Sequence, residues 1–338
     1  MTLKKFVGLL AVLAVAVLGG DPAAARTLAE RILAPGYAPT EEASAREDII
    51  AAVGDSLWNE RFDELETMAE VFRRDKVKTP SGRWRLSVFY EGLRLYQERT
   101  EMDDKSPIHD WIAAYPGSAT ARIGYAVMLV EEAWRIRGKG FASSVDDENW
   151  EPFYEMVERA HTVLMEHKQL AAGDPHWYAT MAEVATLQGW DDYRFDALLR
   201  EAMDRELTYT DTYFEAGNRA LPKWHGSAKK LEKLARYVLE RTRAIEGSAL
   251  YTRIYWSAAN SGYKDALFEK SAVEWAEMSK GMDDILARHP SQWNINHFAH
   301  FACLAGDYEK ALALMARIRD QPMTELWGGA PSYYACKW

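Results

Sequence analysis

Asn296-His297-Phe298-Ala299-His300-Phe301-Ala302-Cys303-Leu304-Ala305-Gly306-Asp307-Tyr308-Glu309-Lys310-Ala311-Leu312 reads as a helix, a glycine-marked turn and the start of a second helix. Small residues at 299, 302 and 311 stand where two paired helices must approach closely. Gly306 suits the turn because it accepts the left-handed conformation that ends a helix. Moving outward, the same plan recurs at Leu187-Gln188-Gly189-Trp190-Asp191-Asp192 and at Asn260-Ser261-Gly262-Tyr263-Lys264-Asp265, with Trp224-His225-Gly226-Ser227 between them. The glycines at 189, 226, 262 and 306 are spaced by 37, 36 and 44 residues. Helical-repeat proteins have periods in roughly that range, about 34 to 47.

Periodicity is helical almost throughout. Phe62, Leu65, Ala69 and Phe72 recur at three-to-four spacing opposite the polar Asp63, Glu66, Glu70 and Arg73, and Leu231, Leu234, Ala235, Val238 and Leu239 repeat the pattern. No stretch alternates with period two, and hairpin signatures are absent. Leu57 to Asp63 marks an inter-helix turn without a glycine, and Tyr115-Pro116-Gly117-Ser118 introduces a helix over Ala119 to Ile136. Pro80-Ser81-Gly82, Ser106-Pro107 and Gly138-Lys139-Gly140 separate further segments. The expected fold is all-α, a single array of helix pairs over residues 56–338, with residues 26–55 as a partly ordered lead-in.

The stretch 296–312 resembles a tetratricopeptide repeat, which implies a tetratricopeptide-like α-solenoid. Four further motifs are Ala133-Trp134-Arg135-Ile136-Arg137-Gly138-Lys139-Gly140, Asp174-Pro175-His176-Trp177-Tyr178, Leu221-Pro222-Lys223-Trp224-His225-Gly226-Ser227 and Tyr251-Thr252-Arg253-Ile254-Tyr255-Trp256. In that order they resemble an uncharacterised bacterial family of exported, tetratricopeptide-like helical proteins, over roughly residues 55–320. The resemblance implies the fold. It lends no activity and no site residues.

The first 25 residues have the three-part layout of a secretory signal peptide. Lys4 and Lys5 precede an uncharged apolar run from Phe6 to Leu18, then Gly19-Gly20-Asp21-Pro22 breaks the helix and Ala23-Ala24-Ala25 offers a cleavage site. The run falls well short of the roughly 20 residues a spanning helix needs, so no membrane anchor is expected after cleavage. No cysteine near the cut could carry a lipid. The expected mature chain starts at Arg26. Losing two positive charges and one negative charge with residues 1–25 moves the formal charge from −10 to −11. The acidic balance argues against nucleic acid, which wants a basic stripe, and against an anionic membrane surface; neither partner has a positive signal in the sequence. Cys303 and Cys336 are the only cysteines. In an oxidising compartment they invite a disulfide; the alternative is a buried thiol at 303 and a frayed one at 336.

Chemistry-bearing motifs are scarce. The chain has no GxSxG, no GxxxxGK[ST], no CxxC and no HExxH, and nothing calls for a cofactor. His297 and His300, with His289 upstream, can ligate zinc only with a third ligand that is not evident. They read better as packing or partner-facing residues. Asp174-Pro175 reads as a helix cap followed by proline in the first turn. Asp146-Asp147-Glu148 and Glu131-Glu132 offer paired carboxylates of the kind glycosidases use, although an acidic helix start accounts for the first run. The tryptophans near turns, Trp177, Trp190, Trp224 and Trp256, read first as core packing between helices; alternatively Trp190, Trp224 and Trp256, with His225, form a candidate binding surface for a peptide or sugar. Arg135 and Arg137 are candidates for holding an anionic group, or else pair with neighbouring acids. The leading expectation is an exported protein- or peptide-interaction module. Its rivals are an enzyme acting on cell-envelope polymer through a groove of carboxylates and tryptophans, and a small-ligand-binding protein.

Overall fold

The computed structural model describes residues 27–338 apart from 101, 104, 139, 141, 320, 321 and 338. The signal-peptide reading of residues 1–25 and the mature start at Arg26 lie outside the described residues. Helices follow one another along the whole chain: α1 (Leu28–Leu33), α2 (Glu42–Trp58), α3 (Phe62–Arg74), α4 (Arg85–Glu98), α5 (Pro107–Ala114), α6 (Ala119–Arg137), α7 (Trp150–Glu166), α8 (Lys168–Ala171) and α9 (Pro175–Leu187). The second half continues with α10 (Asp192–Arg205), α11 (Thr210–Arg219), α12 (Ala228–Glu246), α13 (Ala249–Ala258), α14 (Leu267–Lys270), α15 (Trp275–Arg288), α16 (Gln292–Leu304), α17 (Tyr308–Met315) and α18 (Ala330–Lys337). Among the described residues the sole β pairing is an isolated bridge between Lys78 and Trp84.

Two kinds of helix alternate, and their sequences explain why. α3 buries a single stripe (Phe62, Leu65, Met68, Ala69, Phe72), as does α12 (Leu231, Ala235, Val238, Leu239, Thr242). A helix apolar on one side covers a core from outside. α4, α6, α9 and α13 bury residues on nearly every face, and a helix of that composition must sit within the packing. Accordingly α2 packs on α4, α4 on α6, α6 on α9, α9 on α11, α11 on α13 and α13 on α15, while α3, α7, α10 and α12 pack against that inner series. The segment expected as a lead-in to residue 55 carries α1 and most of α2, with Ile32, Ala45, Ile49, Ala52 and Val53 buried. Its apolar residues cover the flank of α4 that would otherwise face water.

The turns hold for local reasons. Gly189 and Gly306 are left-handed (φ +67° and +76°). After Gly306 the chain closes with Gly306 N–H donating to Cys303 O at 3.0 Å and Asp307 N–H to Ala302 O at 2.9 Å. Gly226 is required by space: a Cβ there would lie 2.0 Å from the carbonyl oxygen of Ala220, and His225 takes the left-handed position (φ +61°). At the turn containing Gly262 the positive φ likewise belongs to a neighbour, Lys264. Asp174 caps α9, accepting from His176 N–H at 2.9 Å, and Pro175 opens the helix. Asp174 is also buried and accepts from Arg73 (2.7 Å) and from Tyr90 Oη (2.8 Å), so one carboxylate joins α3, α4 and α9.

The chain also closes on itself. Residues 76–84, between α3 and α4, reach across to the C-terminal half. Trp84 Nε1 donates to Thr208 O (2.9 Å), and Ser81 O accepts from Arg253 Nη2 (2.7 Å) and Asn294 Nδ2 (3.1 Å). The extended open surface expected of a simple array is interrupted here. At the C-terminus the sulfurs of Cys303 and Cys336 stand at bonding distance, with their Cα atoms 6.0 Å apart, and α18 is held against α17.

Candidate functional site

A cavity of about 670 Å3 lies between α10, α11 and α12. Phe195 and Leu199 of α10, Ala216 of α11 and Leu234 and Tyr237 of α12 form an apolar lining, with Trp190 and Trp224 at the turns flanking α10 and α11. α10 and α12 present these residues because each is apolar along one stripe, and both stripes turn toward α11, the helix they share.

The rim is charged. Arg219 Nη2 donates to Trp190 O and to Asp192 (3.3 Å), and Lys230 pairs with Asp192 at 3.0 Å. The hydrogen bonds from Lys230 and Arg219 hold the Asp192 carboxyl below its usual range. That leaves Arg200 and Lys233, exposed and without an ion pair or hydrogen bond among the described residues, opposed by the single unpaired carboxylate of Asp196. Trp190 is fixed by Nε1 donating to Gln188 Oε1 (2.9 Å) and by the Arg194 guanidinium 4.0 Å from its ring centroid. Trp224 Nε1 is buried with no acceptor, so its strongest polar atom is unused by the protein.

Of the candidate binding residues, the structure brings Trp190, Trp224 and His225 together around this cavity. Trp256 is elsewhere: it is buried, with ring centroids of His297, Phe298 and Phe301 at 4.5, 5.4 and 6.3 Å. The expected grouping of three tryptophans is therefore corrected to two, because α13 turns Trp256 toward α16. Arg135 is bound to Glu132 (2.8 Å) on the outside of α6. Arg137 lies between the rings of Trp134 and Trp150, 5.2 Å from each, and donates to the carbonyls of Gly138 and Gly140. Neither arginine reaches the cavity. His297 Nδ1 meets Trp293 O at 2.8 Å, whereas His300 packs on Trp327 at 4.8 Å. Among the described residues no group of three or more His, Cys, Asp or Glu is placed to hold a metal.

A second polar region, reached from α11 through Glu215, escaped the sequence. Arg94 of α4 pairs with Glu183 of α9 and, at 3.4 Å, with Glu131 of α6. Trp134 Nε1 donates to Glu183 at 3.1 Å. Burial alone would raise the Glu183 carboxyl, but Arg94 holds it below the usual range. Glu215 of α11 makes no hydrogen bond or ion pair among the described residues; burial and the neighbouring charge of Glu183 push it up to about 8. An ionised and a proton-holding carboxylate are the pair that acid–base hydrolysis uses. Here the ionised member is engaged by both Arg94 and Trp134, which suits it to holding Arg94 in place. Asp211, one turn before Glu215, accepts from Ser87, while Arg83 bridges Glu91 and Asp211. No local spacing connects residues 83, 94, 131, 183, 211 and 215, so only the packing of α4, α6, α9 and α11 reveals them as neighbours.

Compared with known proteins, the chain matches no family model, no curated protein and no solved structure.

Proposed function

We propose that this chain is an exported, tetratricopeptide-like helical-repeat protein that binds an acidic peptide segment in the cavity between α10, α11 and α12. The observation that carries the reading is that cavity: about 670 Å3, apolar inside, with Arg200 and Lys233 unpaired at its mouth. An apolar side chain of the ligand fits against Trp190, Trp224 and Phe195, and a carboxylate beside it is drawn to the two free cations. Binding sites of this type combine an apolar interior with a few placed polar groups. The alternation of inner and outer helices supports the repeat reading, as does the glycine spacing. The likeness in motif order to exported tetratricopeptide-like proteins is part of the same proposal. Export is supported by the charged start and apolar run of residues 4–18, and by a cysteine pair at bonding distance, which persists best in an oxidising compartment. Among the described residues no helix is long and apolar enough to cross a membrane.

A small organic anion is the second reading, favoured by the volume, which falls within the range of small-molecule sites. The polymer-hydrolase reading is disfavoured by the engagement of Glu183 with Arg94 and Trp134.

The test is fluorescence anisotropy with short labelled peptides bearing one Phe or Leu flanked by Asp and Glu, or by Lys and Arg. The acidic peptides should bind and weaken with added salt. Reversal of both free cations (Arg200→Glu with Lys233→Glu) should weaken them by about tenfold or more, roughly 1.4 kcal/mol. A preference for the basic peptides, or affinity unaffected by the double reversal, would refute the proposal.

A further inference from the structure

A second, smaller cavity, of about 30 Å3, lies where residues 76–84 meet α11, α13 and α15. It is far from the peptide cavity in composition: its polar wall is Lys78, Thr210, Arg253, Arg288, His289 and Glu246. Glu246 is the one carboxylate in that wall, and Arg288 already binds it while also donating to Ile245 O (2.7 Å). Arg253 donates to a neutral acceptor, Ser81 O, and forms no ion pair among the described residues. Lys78 Nζ rests 3.5 Å from the Trp84 ring centroid and also has no ion pair or hydrogen bond among them. Two cations without a direct ion pair thus face one small space whose single lining carboxylate, Glu246, is already engaged by Arg288.

Two further observations point the same way. The Thr210 hydroxyl, on a residue only 4% exposed, is buried with no hydrogen-bond partner. Buried hydroxyls are rarely left unpartnered. Thr210 is also the first residue of α11, a ten-residue helix whose N-terminus has no side-chain cap, so the positive end of that helix adds to the field at the cavity. The titration behaviour agrees: burial outweighs the opposing charges of Glu246 and Glu206 and, with Arg253, pushes Lys78 down to about 7, and it outweighs Glu246 and Glu42 to push Arg253 down to about 10. His289 is pushed down to about 4 by burial and by the charges of Arg253, Lys78 and Arg288. A negative charge in the space would offset each of these penalties.

We infer that the cavity between residues 76–84 and helices α11, α13 and α15 binds a small inorganic anion, held by Lys78, Arg253 and the Thr210 hydroxyl. The size sets the class. A space of about 30 Å3 holds one or two water-sized particles, which suits a halide or a compact oxyanion and excludes nucleotides and organic phosphates. The position gives the anion a role. Gly82 sits so tightly here that a Cβ would come within 2.5 Å of His289 Cδ2 and 2.6 Å of Arg253 Nη2, and Ser81 O is the acceptor shared by Arg253 and Asn294. The anion therefore neutralises Arg253, a cation through which the 76–84 segment is fastened to the C-terminal half.

The decisive experiment has two parts, both on the mature chain. First, crystals soaked in sodium bromide should show an anomalous peak between Lys78 Nζ and Arg253. Bromide confined to exposed surface sites would overturn the inference. Second, thermal unfolding at constant ionic strength, with chloride or phosphate replacing bulky gluconate, should show a midpoint that rises and saturates; the two arms separate halide from oxyanion. Lys78→Met and Thr210→Val should each weaken the apparent affinity at least tenfold. A midpoint that rises without saturation, equally in the variants, would also overturn it. The bromide result stands on the unaltered chain, so a variant that fails to fold does not shelter the idea.

Discussion

Replacing Cys336 with serine should loosen one end of the molecule and leave the rest untouched. The bridge to Cys303 spans 33 residues of sequence. Chain-entropy reasoning for a loop of that length gives about 12.5 cal/mol/K, or roughly 3.7 kcal/mol at 25 °C. Apart from the bridge, the tail is held by a small aromatic cluster: Trp327 and Tyr333 are buried edge to face at 5.2 Å, and Trp327 packs on His300 at 4.8 Å. α18 packs on α17, and α16 mainly on α15 and α17, and elements whose contacts are local can open without the rest. The lost constraint should therefore appear in α16–α18 and not in the whole chain. Hydrogen–deuterium exchange of the oxidised protein and of Cys336→Ser reads this directly. Protection of slowly exchanging amides in residues 292–304 and 330–337 should fall by up to about 500-fold, the equivalent of 3.7 kcal/mol, and amides of α10–α12 should keep their rates. Unchanged exchange at 330–337, or equal loss in α10–α12, would refute the reasoning.

Three other outcomes follow from the packing. Gly226→Ala should lower the urea midpoint more than Gly306→Ala does: the first places a methyl 2.0 Å from a backbone oxygen, about 1–3 kcal/mol of overpacking or more, whereas the second meets nothing within 4 Å and carries only the left-handed penalty of roughly 1–2 kcal/mol. An equal or reversed order would contradict the close approach to Ala220. Stability should fall as pH drops from 6.5 toward 4. Burial holds His176 down to about 3 and His289 and His297 down to about 4, so the unfolded chain takes up protons near 6.5 that the folded chain refuses. With three such groups the slope can approach ~4 kcal/mol per pH unit, and urea titrations flat between pH 7 and pH 5 would count against it. Glu215→Gln should match the unaltered chain near pH 4.5 and exceed it at pH 9 by up to about 5 kcal/mol. A carboxyl raised to about 8 contributes its stability below the unfolded value and loses it as pH rises through 8; equal stability of both chains at pH 9 would refute the isolation of Glu215.

What could be read in advance was local. The stretch 296–312 folds as α16, a left-handed Gly306 and α17 because helical period and turn chemistry depend on residues within a few positions of one another. The cysteine pair was legible from parity and position. Trp190, Trp224 and His225 stood out because they sit beside turns, but nothing local separates them from Trp256, whose burial depends on Phe298 and Phe301 some 40 residues later. Glu131 and Glu132 looked like a pair; on adjacent positions of α6 they face apart, one to Arg94 and the other to Gln97 and Arg135. The sequence marks Gly226 only as one of a series of turn glycines, whereas its requirement is the nearness of Ala220. The junction through Ser81 was out of reach, since its partners Arg253 and Asn294 lie 172 and 213 residues away.

Helix α11 ties these separate observations together. Its first residue, Thr210, borders the small cationic cavity, Asp211 and Glu215 lie one turn apart facing Ser87 and the Arg94 region, and Ala216, Arg219 and Ala220 wall the larger cavity. Ten residues give too few turns for these faces to move independently. α11 packs on both α12 and α13, so a rotation of the helix that relieved one side would disturb its seat on the other. Substitutions within α11 consequently change more than one environment, and neighbouring changes of this kind do not add. Arg200 and Lys233 stand on α10 and α12, outside that shared element. Reversing them isolates the charge at the mouth of the peptide cavity, which is why they, and not Arg219, are the residues on which the binding proposal should be judged.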